Sequence, residues 1–391
     1  MFMRLFLAAA AVLLVTLATG QPASASKGDK APTPKPRRIL VNNDGDSCMI
    51  WKQGGRGATQ ITADDLKANV EELAYPGSQV DTMLLCINAQ VTYYPSKVGT
   101  MRGILDPPEK RKNWEFASEP IRFRNVEAMF AQGVDPYALM LAEAKKRGLE
   151  ALLSYRMNDA HNLSFLHCKF WLDHPEYRLG AAFDFGHQAV RDYTFRLIEE
   201  AVQRYDCDGI ELDFNRFPTF FQNGAGTEAE RIEKINDLVH RVRQMLDAEG
   251  KKQGKRLVLA ARVPISYQQC RQIGLDPVVW VKEGWLDFLT VSEFFVPTRY
   301  DLPVKPWKEL IKQVPIYGGM EYADGDPSKL ENFMTAAKYR RAARHLWNDG
   351  ADGIYLFNWL HYADPQWGGK QFDPPIEVLK ELGDPKTLHG D

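Results

Sequence analysis

The sequence repeats one pattern eight times: an apolar run ends in polar residues, a loop follows, and an amphipathic helical segment leads to the next run. The runs are hydrophobic almost throughout, as expected of parallel strands that are covered on both faces. They occupy residues 38–44, 82–88, 150–159, 209–216, 256–264, 288–294, 314–321 and 353–359. Eight successive βα units predict a (β/α)8 barrel, an α/β fold.

The segments between the runs carry helix signals. Thr62 is a predicted cap, and Asp135 followed by Pro136 predicts a second helix start. A doubly wound open sheet is the alternative fold, but it normally has a glycine-rich phosphate loop after its first strand, and residues 42–47 (NNDGDS) lack that glycine spacing. We therefore predict one barrel domain with long βα loops after strands 2 and 3, a length that is usually functional.

The first 37 residues have a different composition from the rest. Arg4 precedes a short apolar run, and small residues at 23–25 (ASA) offer a cleavage site, so residues 1–25 are predicted as a signal peptide. Residues 26–37 are rich in Pro and Lys and predict an extended linker. We expect a secreted or periplasmic protein with residues 38–391 as its catalytic barrel and no membrane attachment after cleavage.

Charge and cysteine usage exclude several classes. The formal net charge is −2 with 26% charged residues, which provides no basic surface for nucleic acid. The five cysteines are too few for a disulfide scaffold, and neither CxxC nor His/Cys spacing predicts a zinc site. We predict no cofactor and no metal, and the sequence leaves the oligomeric state open.

Polar residues follow the predicted strands, at the face of a barrel where chemistry occurs. A purely structural barrel needs no such ring of polar groups. The predicted substrate-binding residues are Asn43, Asp44, Arg156, Asp159, His161, Glu211, Asn215, Arg262, Tyr322, Asn358 and Trp359.

The fourth run places acidic residues on alternate positions. Because alternate residues of a strand share a face, Glu211, Asp213 and Asn215 are expected to face the barrel lumen. Glu211 lies deepest, and an ion pair with Arg156 or Arg262 would account for it structurally. Asp213 lies closer to the mouth, where substrate can reach it, and is the first predicted catalytic carboxylate.

This motif, DGIELDF at 208–214, resembles the fourth-strand motif of glycoside hydrolases built on (β/α)8 barrels. It is similar to the Asp-Gly-x-Asp-x-Asp-x-Glu run of chitinase-type enzymes, although Asn215 occupies the position of their acid. It also resembles the Asp-Gly-x-Arg-x-Asp run of α-amylase families, whose nucleophile matches Asp213 and whose Arg is replaced by Glu211. The overall pattern resembles glycoside-hydrolase-like barrels of exported bacterial proteins.

Glycoside hydrolysis usually needs a second carboxyl group. Glu321 and Glu293 are both candidates, at the ends of the seventh and sixth runs. Two glycines before Glu321 allow close approach to the backbone, and resemblance to the large retaining clan implies a fourth- and seventh-strand pair. Glu293 lies between Ser292 and two phenylalanines, where burial would raise a carboxyl pKa, and an ion pair with Arg262 would be its structural role.

Three functions are consistent with these residues. The first is a secreted glycosidase that acts on a poly- or oligosaccharide, and the arginines at strand ends leave an anionic substrate open. The second is a barrel that binds carbohydrate without cleaving it, since Asn215 cannot act as an acid. The third is a metal-dependent hydrolase that uses Asp44, Asp159, His161 and Asp213, although the first strand lacks the HxH pair usual in such barrels.

Overall fold

The computed structural model describes residues 37–51, 60–114, 118–294, 297–327, 329–359 and 373–389. Eight parallel strands close into a barrel in the order β1-β10-β9-β8-β7-β6-β3-β2, and β4 pairs with β5 as a hairpin in the loop after β3. The predicted (β/α)8 fold is therefore confirmed. The strands are β1 Ile39–Asn43, β2 Val80–Cys86, β3 Glu150–Arg156, β4 Arg178–Leu179, β5 Ala182–Phe183, β6 Gly209–Asp213, β7 Val258–Val263, β8 Phe288–Val291, β9 Ile316–Met320 and β10 Gly353–Leu356.

Helices surround this barrel, and both predicted caps are present. Thr62 forms a capping box with Asp65, and Asp135 accepts from the backbone N–H groups of the next helix. Near the C-terminus, Ile376–Lys380 form a 3-10 helix. The described helices are α1 Ala63–Glu71, α2 Pro108–Arg111, α3 Glu119–Ala131, α4 Pro136–Lys146, α5 Lys169–Asp173, α6 Gln188–Arg204, α7 Glu228–Gln253, α8 Tyr267–Gln272, α9 Pro277–Lys282, α10 Lys305–Leu310 and α11 Ala336–Asn348.

The predicted signal peptide and all but the last residue of the predicted linker lie outside the described residues. Within the described part of the chain, no helix combines the length and apolar character needed to cross a bilayer. All five cysteines are described, and each is buried and free.

Alternate side chains of the strands divide into two sets. Outward-facing residues such as Ile210 and Leu212 belong to the large core between strands and helices. Inward-facing residues fill the lumen of the barrel, where some of them form a separate apolar cluster. Its members are Leu40, Leu84, Leu152, Ala260, Phe288, Tyr317, Tyr355 and Phe357.

An ion pair closes the bottom of the lumen. Arg37 donates to both carboxylate oxygens of Glu150, at 2.6 and 2.7 Å, and Thr82 donates to the same carboxylate at 2.8 Å. The Arg37 guanidinium also lies 4.7 Å from the centroid of the Phe288 ring. Arg37, predicted as the last linker residue, is therefore part of the barrel and is only 4% exposed.

Breaking this buried pair should cost far more stability than breaking an exposed one. Glu150→Gln removes the carboxylate that pairs with the buried Arg37 guanidinium, so we expect the free energy of unfolding to fall by about 3 kcal/mol. Asp81→Asn breaks the exposed pair with Arg38 at the same end of the barrel and should cost less than about 1 kcal/mol. Urea unfolding followed by circular dichroism checks both values, and equal losses would contradict the structural role of Arg37.

Candidate active site

Asp213 is fixed by an arginine from the neighbouring strand. Arg262 on β7 donates from Nε to Oδ1 at 2.9 Å and from Nη2 to Oδ2 at 3.0 Å. The backbone N–H groups of Asn215 and Arg216 also donate to Oδ1, both at 3.0 Å. Both members of the ion pair are only 1% exposed. Oδ1 thus accepts three hydrogen bonds, whereas Oδ2 accepts one and retains acceptor capacity.

Glu321 lies on the other side of the same guanidinium. Its Oε1 is 3.8 Å from Nη1 of Arg262. Thr298 fixes its backbone, accepting from the Glu321 N–H at 2.9 Å and donating to the Glu321 carbonyl at 2.8 Å. Burial raises the pKa of Glu321 to about 7, although Arg262 and Arg216 oppose the rise. The two carboxyl groups therefore share one cation but differ in environment.

Ser292 connects the groups around Arg262. Its hydroxyl oxygen accepts from Nη1 of Arg262 at 3.0 Å, and the Asn215 amide donates to Ser292 O at 3.0 Å and to Glu293 O at 2.9 Å. On β9, an added Cβ at Gly319 would lie only 2.4 Å from the Ser292 Cβ. The glycine expected to permit close approach before Glu321 therefore makes room for Ser292.

Glu293 does not join this group. Its side chain is 28% exposed, and its Oε2 lies 3.3 Å from Nη1 of Arg299. The expectations that it would be buried among phenylalanines, or would pair with Arg262, are wrong. The reason is that β8 ends at Val291, so strand alternation no longer fixes the direction of the Glu293 side chain. The structure brings Glu321, rather than Glu293, next to Arg262.

Glu211 lies below Asp213 and is completely buried. Its Oε1 accepts from the Tyr355 hydroxyl at 2.8 Å, from Ser154 at 2.9 Å and from Asn42 at 3.5 Å. These are neutral donors, so the expected ion pair with Arg156 or Arg262 is wrong. Burial raises the pKa of Glu211 to about 7, and the Asp213 charge adds to the rise while Arg262 opposes it.

A second charged cluster lies across the mouth. Arg156 contacts Asp44 at 2.8 Å and Asp159 at 3.5 Å. Nδ1 of His161 is 2.8 Å from Asp159, and Nη2 of Arg216 lies 2.9 Å from Nε2 of the same ring. Since an arginine can only donate, Nε2 must accept, and the His161 proton resides on Nδ1, directed at Asp159.

Arginine side chains contact each residue of the metal-dependent alternative. Arg156 binds Asp44 and Asp159, Arg216 occupies Nε2 of His161, and Arg262 holds Asp213. Within the described ranges, moreover, no three His, Cys, Asp or Glu side chains are arranged to hold a metal ion.

Asn43 is directed away from the mouth. Its amide donates to Asn69 on α1 at 2.8 Å, so the expected role in substrate binding is wrong. The neighbouring Asn42 faces the lumen instead, where it donates to Tyr355 at 2.9 Å and to Ser154 at 3.1 Å. The alternation of β1 contains the signal that distinguishes them, since Leu40 and Asn42 share the inner face.

The remaining predicted residues surround the site. Tyr322 is buried against the Phe333 ring, with centroids 5.9 Å apart. Trp359 is buried and tilted against Tyr339 of α11, at 5.3 Å. Both rings belong to the packing around the mouth. Asn358 follows β10 in a left-handed conformation, with φ of 51°, and is 5% exposed.

Sequence comparison identifies no relative, because neither a protein-family model nor a curated protein matches the chain. Solved structures do resemble it. Alpha-L-fucosidase isoenzyme 2 from Paenibacillus thiaminolyticus aligns with a TM-score of 0.52 and 14% identity over 89% of this chain and 48% of its own. A GH138 enzyme targeting pectin rhamnogalacturonan II aligns with a TM-score of 0.52 and 13% identity over 91% of this chain and 39% of its own.

This chain thus spans less than half the length of those two proteins. The PgaB (BpsB) glycoside hydrolase domain from Bordetella bronchiseptica is closer in size. It aligns with a TM-score of 0.52 and 10% identity over 90% of this chain and 99% of its own. At these identities the likeness establishes the shared barrel fold.

The raised pKa of Glu211 makes the free energy of unfolding depend on pH. Between the ordinary value of 4.5 and about 7, the folded protein holds a proton that the unfolded chain has lost. Stability therefore falls as pH rises through this window and levels off above it. Glu211→Gln removes that proton, so wild type should lose about 3 kcal/mol more than the variant between pH 4.5 and pH 8.

Urea unfolding at the two pH values measures this difference. Glu321 contributes equally to both proteins and cancels in the comparison. Parallel pH profiles for wild type and Glu211→Gln would show that Glu211 is ionised in the folded protein at neutral pH.

Proposed function

We propose that the protein is an exported glycoside hydrolase in which Asp213 and Glu321 act on either side of the scissile bond. The observation that carries this proposal is the arrangement of two carboxyl groups around one buried guanidinium at the C-terminal end of the strands. That end is where barrel enzymes hold their chemistry. The barrel fold is also shared with the glycoside hydrolases described above.

The two carboxyl groups differ in the way that this chemistry requires. Asp213 is paired with the Arg262 guanidinium, and its Oδ2 retains a lone pair that can serve at the anomeric carbon. Glu321 has a pKa of about 7 because it is buried, so it carries a proton near neutral pH that it can give to the leaving-group oxygen. Where the surroundings push the pKa values of two carboxyl groups apart, the group with the higher pKa serves as the acid and the other as the electron-pair donor.

Arg262 also gives Glu321 a way to change role. While Asp213 is ionised, its charge offsets the guanidinium, and burial keeps the pKa of Glu321 high. If Asp213 bonds to the sugar, its charge disappears and Arg262 faces Glu321 alone. The pKa of Glu321 then falls, which suits the glutamate to act as a base toward an incoming water.

Export and the carbohydrate partner rest on the sequence. The basic residue, apolar run and small residues of 1–25 support a signal peptide, and residues 26–36 support a linker. Polysaccharides outside the cytoplasm are substrates that such a protein would meet.

A carbohydrate-binding barrel without turnover is the second candidate. Asn215 occupies the position of the chitinase-type acid. Its amide nitrogen donates to the main-chain carbonyls of Ser292 and Glu293, and an amide cannot protonate a leaving group. A chitinase-type reaction therefore has no acid here, and catalysis depends on Glu321.

Substitution of each carboxyl group tests the proposal. Asp213→Asn and Glu321→Gln should each lower kcat/KM by about 10²–10⁴-fold on a panel of 4-nitrophenyl glycosides and oligosaccharides. Glu321→Gln should be less impaired on 2,4-dinitrophenyl glycosides, because this leaving group departs without a proton. Glu293→Gln is the matched control and should retain activity within about tenfold.

Circular dichroism must show that all three variants are folded, because Asp213→Asn leaves Arg262 without its partner. If Glu293→Gln lowers kcat/KM more than Glu321→Gln does, Glu293 rather than Glu321 is the acid. Binding of oligosaccharides by wild type without release of reducing ends would favour the second candidate instead.

A further inference from the structure

The backbone at Phe217 is strained. Its φ is 58°, in the left-handed region that residues with a large side chain rarely adopt. Pro218 follows, and a proline ring restricts the conformation of the residue before it. A loop that only needed to turn here could use glycine, which adopts positive φ without steric cost. Strain of this kind clusters at sites where a side chain has to be held in one place for a ligand.

Hydrogen bonds on both sides hold this conformation. The backbone N–H of Arg216 donates to Oδ1 of Asp213 at 3.0 Å. The N–H of Thr219 donates to the Phe217 carbonyl at 2.7 Å, and the Asn158 amide donates to the Thr219 carbonyl at 2.5 Å. The segment after β6 is therefore tied both to Asp213 and to the end of β3.

The Phe217 ring lies between two loops of the mouth. Its centroid is 4.8 Å from that of His161, after β3, and 5.5 Å from that of Phe294, after β8. In the barrel, β6 and β7 lie between those two strands. The ring therefore lies at the ends of β6 and β7, where Asp213 pairs with Arg262.

The neighbouring Arg216 shows that this ring is close to the lumen. Its guanidinium carbon lies 5.5 Å from the centroid of Phe217 and 6.0 Å from that of Phe357, a member of the lumen cluster. The guanidinium carbon of Arg262 lies 3.7 Å from the same Phe357 centroid. One lumen ring thus contacts both the arginine beside Phe217 and the arginine that holds Asp213.

Part of the Phe217 ring is left exposed. Its contacts with His161 and Phe294 are edge-to-face, with interplanar angles of 77° and 60°, and no aromatic ring among the described residues stacks flat on it. Phe217 is only half-buried, although Arg216 and His161 beside it are polar. Apolar surface among polar groups suits a ligand with hydroxyl groups at its edge and C–H groups on its faces, as in a sugar ring.

We propose that the Phe217 ring is a platform for the C–H face of the sugar residue that binds beside Asp213. The inference rests on the proposed function and adds a substrate-binding residue to its site. The strained backbone holds the ring at the mouth, so stability is lost at this position in favour of binding.

Removal of the ring while the side chain stays apolar tests the platform. The full chain carrying Glu321→Gln, with and without Phe217→Leu, would be titrated calorimetrically with cellohexaose, xylohexaose, maltohexaose, mannohexaose and chitohexaose. We expect Phe217→Leu to raise the Kd of each sugar that binds by about tenfold, whereas Phe217→Tyr, which keeps the aromatic face, should stay within about threefold.

Phe195→Leu is the matched control. Phe195 on α6 is also half-buried, with the guanidinium carbon of Arg241 4.6 Å from its ring centroid, but it lies in the outer layer of helices. Its substitution should leave the Kd unchanged.

Phe217→Gly and Phe217→Ala separate the strain from the loss of the ring. Both remove the ring, so both should raise the Kd by about tenfold. Only glycine relieves the positive φ, so the Tm of Phe217→Gly should exceed that of Phe217→Ala by about 2 °C. Equal Tm values would contradict the strained conformation on which the inference depends.

Unchanged sugar binding in a Phe217→Leu variant that thermal unfolding shows to be folded overturns the inference, and so does a panel that the parent chain does not bind. If the leucine variant does not fold, the alanine and glycine variants provide the same comparison. Hydrolysis separates this inference from the proposed function. Ring-dependent binding of a sugar that wild type does not cleave would overturn only the hydrolase proposal. Cleavage with the same KM by wild type and Phe217→Leu would overturn only the platform.

Discussion

The ion pair between Arg262 and Asp213 is the interaction on which the upper half of the lumen depends. Several kcal/mol are needed to bury an uncompensated charge, so the guanidinium must keep its carboxylate, and the carboxylate must stay where the guanidinium is. Ser292 and the backbone of residues 215 and 216 take the remaining hydrogen bonds of the pair. The carboxylate is thereby held in one position by the same contacts that make its burial tolerable.

The lumen holds more carboxyl groups than its arginines neutralise. Asp213 accepts from Nε and Nη2 of Arg262, and Glu321 lies near Nη1 of the same guanidinium. Glu211, below them, has hydroxyl and amide partners. Burial therefore raises the pKa of both glutamates to about 7. One barrel interior thus contains an aspartate paired with a guanidinium and two glutamates whose pKa is raised by burial.

Strand number, strand order along the chain and the inner face of the fourth strand could be predicted from the sequence. These follow from hydrophobic runs and two-residue alternation, which are local properties. Partners across the barrel could not be predicted, since stagger between strands decides that Arg262 meets Asp213 rather than Glu211. Alternation also fails where a strand ends, as at Glu293, and it distinguishes Asn42 from Asn43 only when the inner face of β1 is known.

The closure of the lower lumen by Arg37 has a practical consequence for protein production. Arg37 precedes the first strand, at the end of a stretch whose Pro and Lys content is typical of a linker that could be removed. An expression boundary chosen one residue too late, at Arg38, would omit it and leave Glu150 facing an apolar floor without its counter-charge. Poor yield from such a shortened version would reflect a missing cation rather than an unstable barrel.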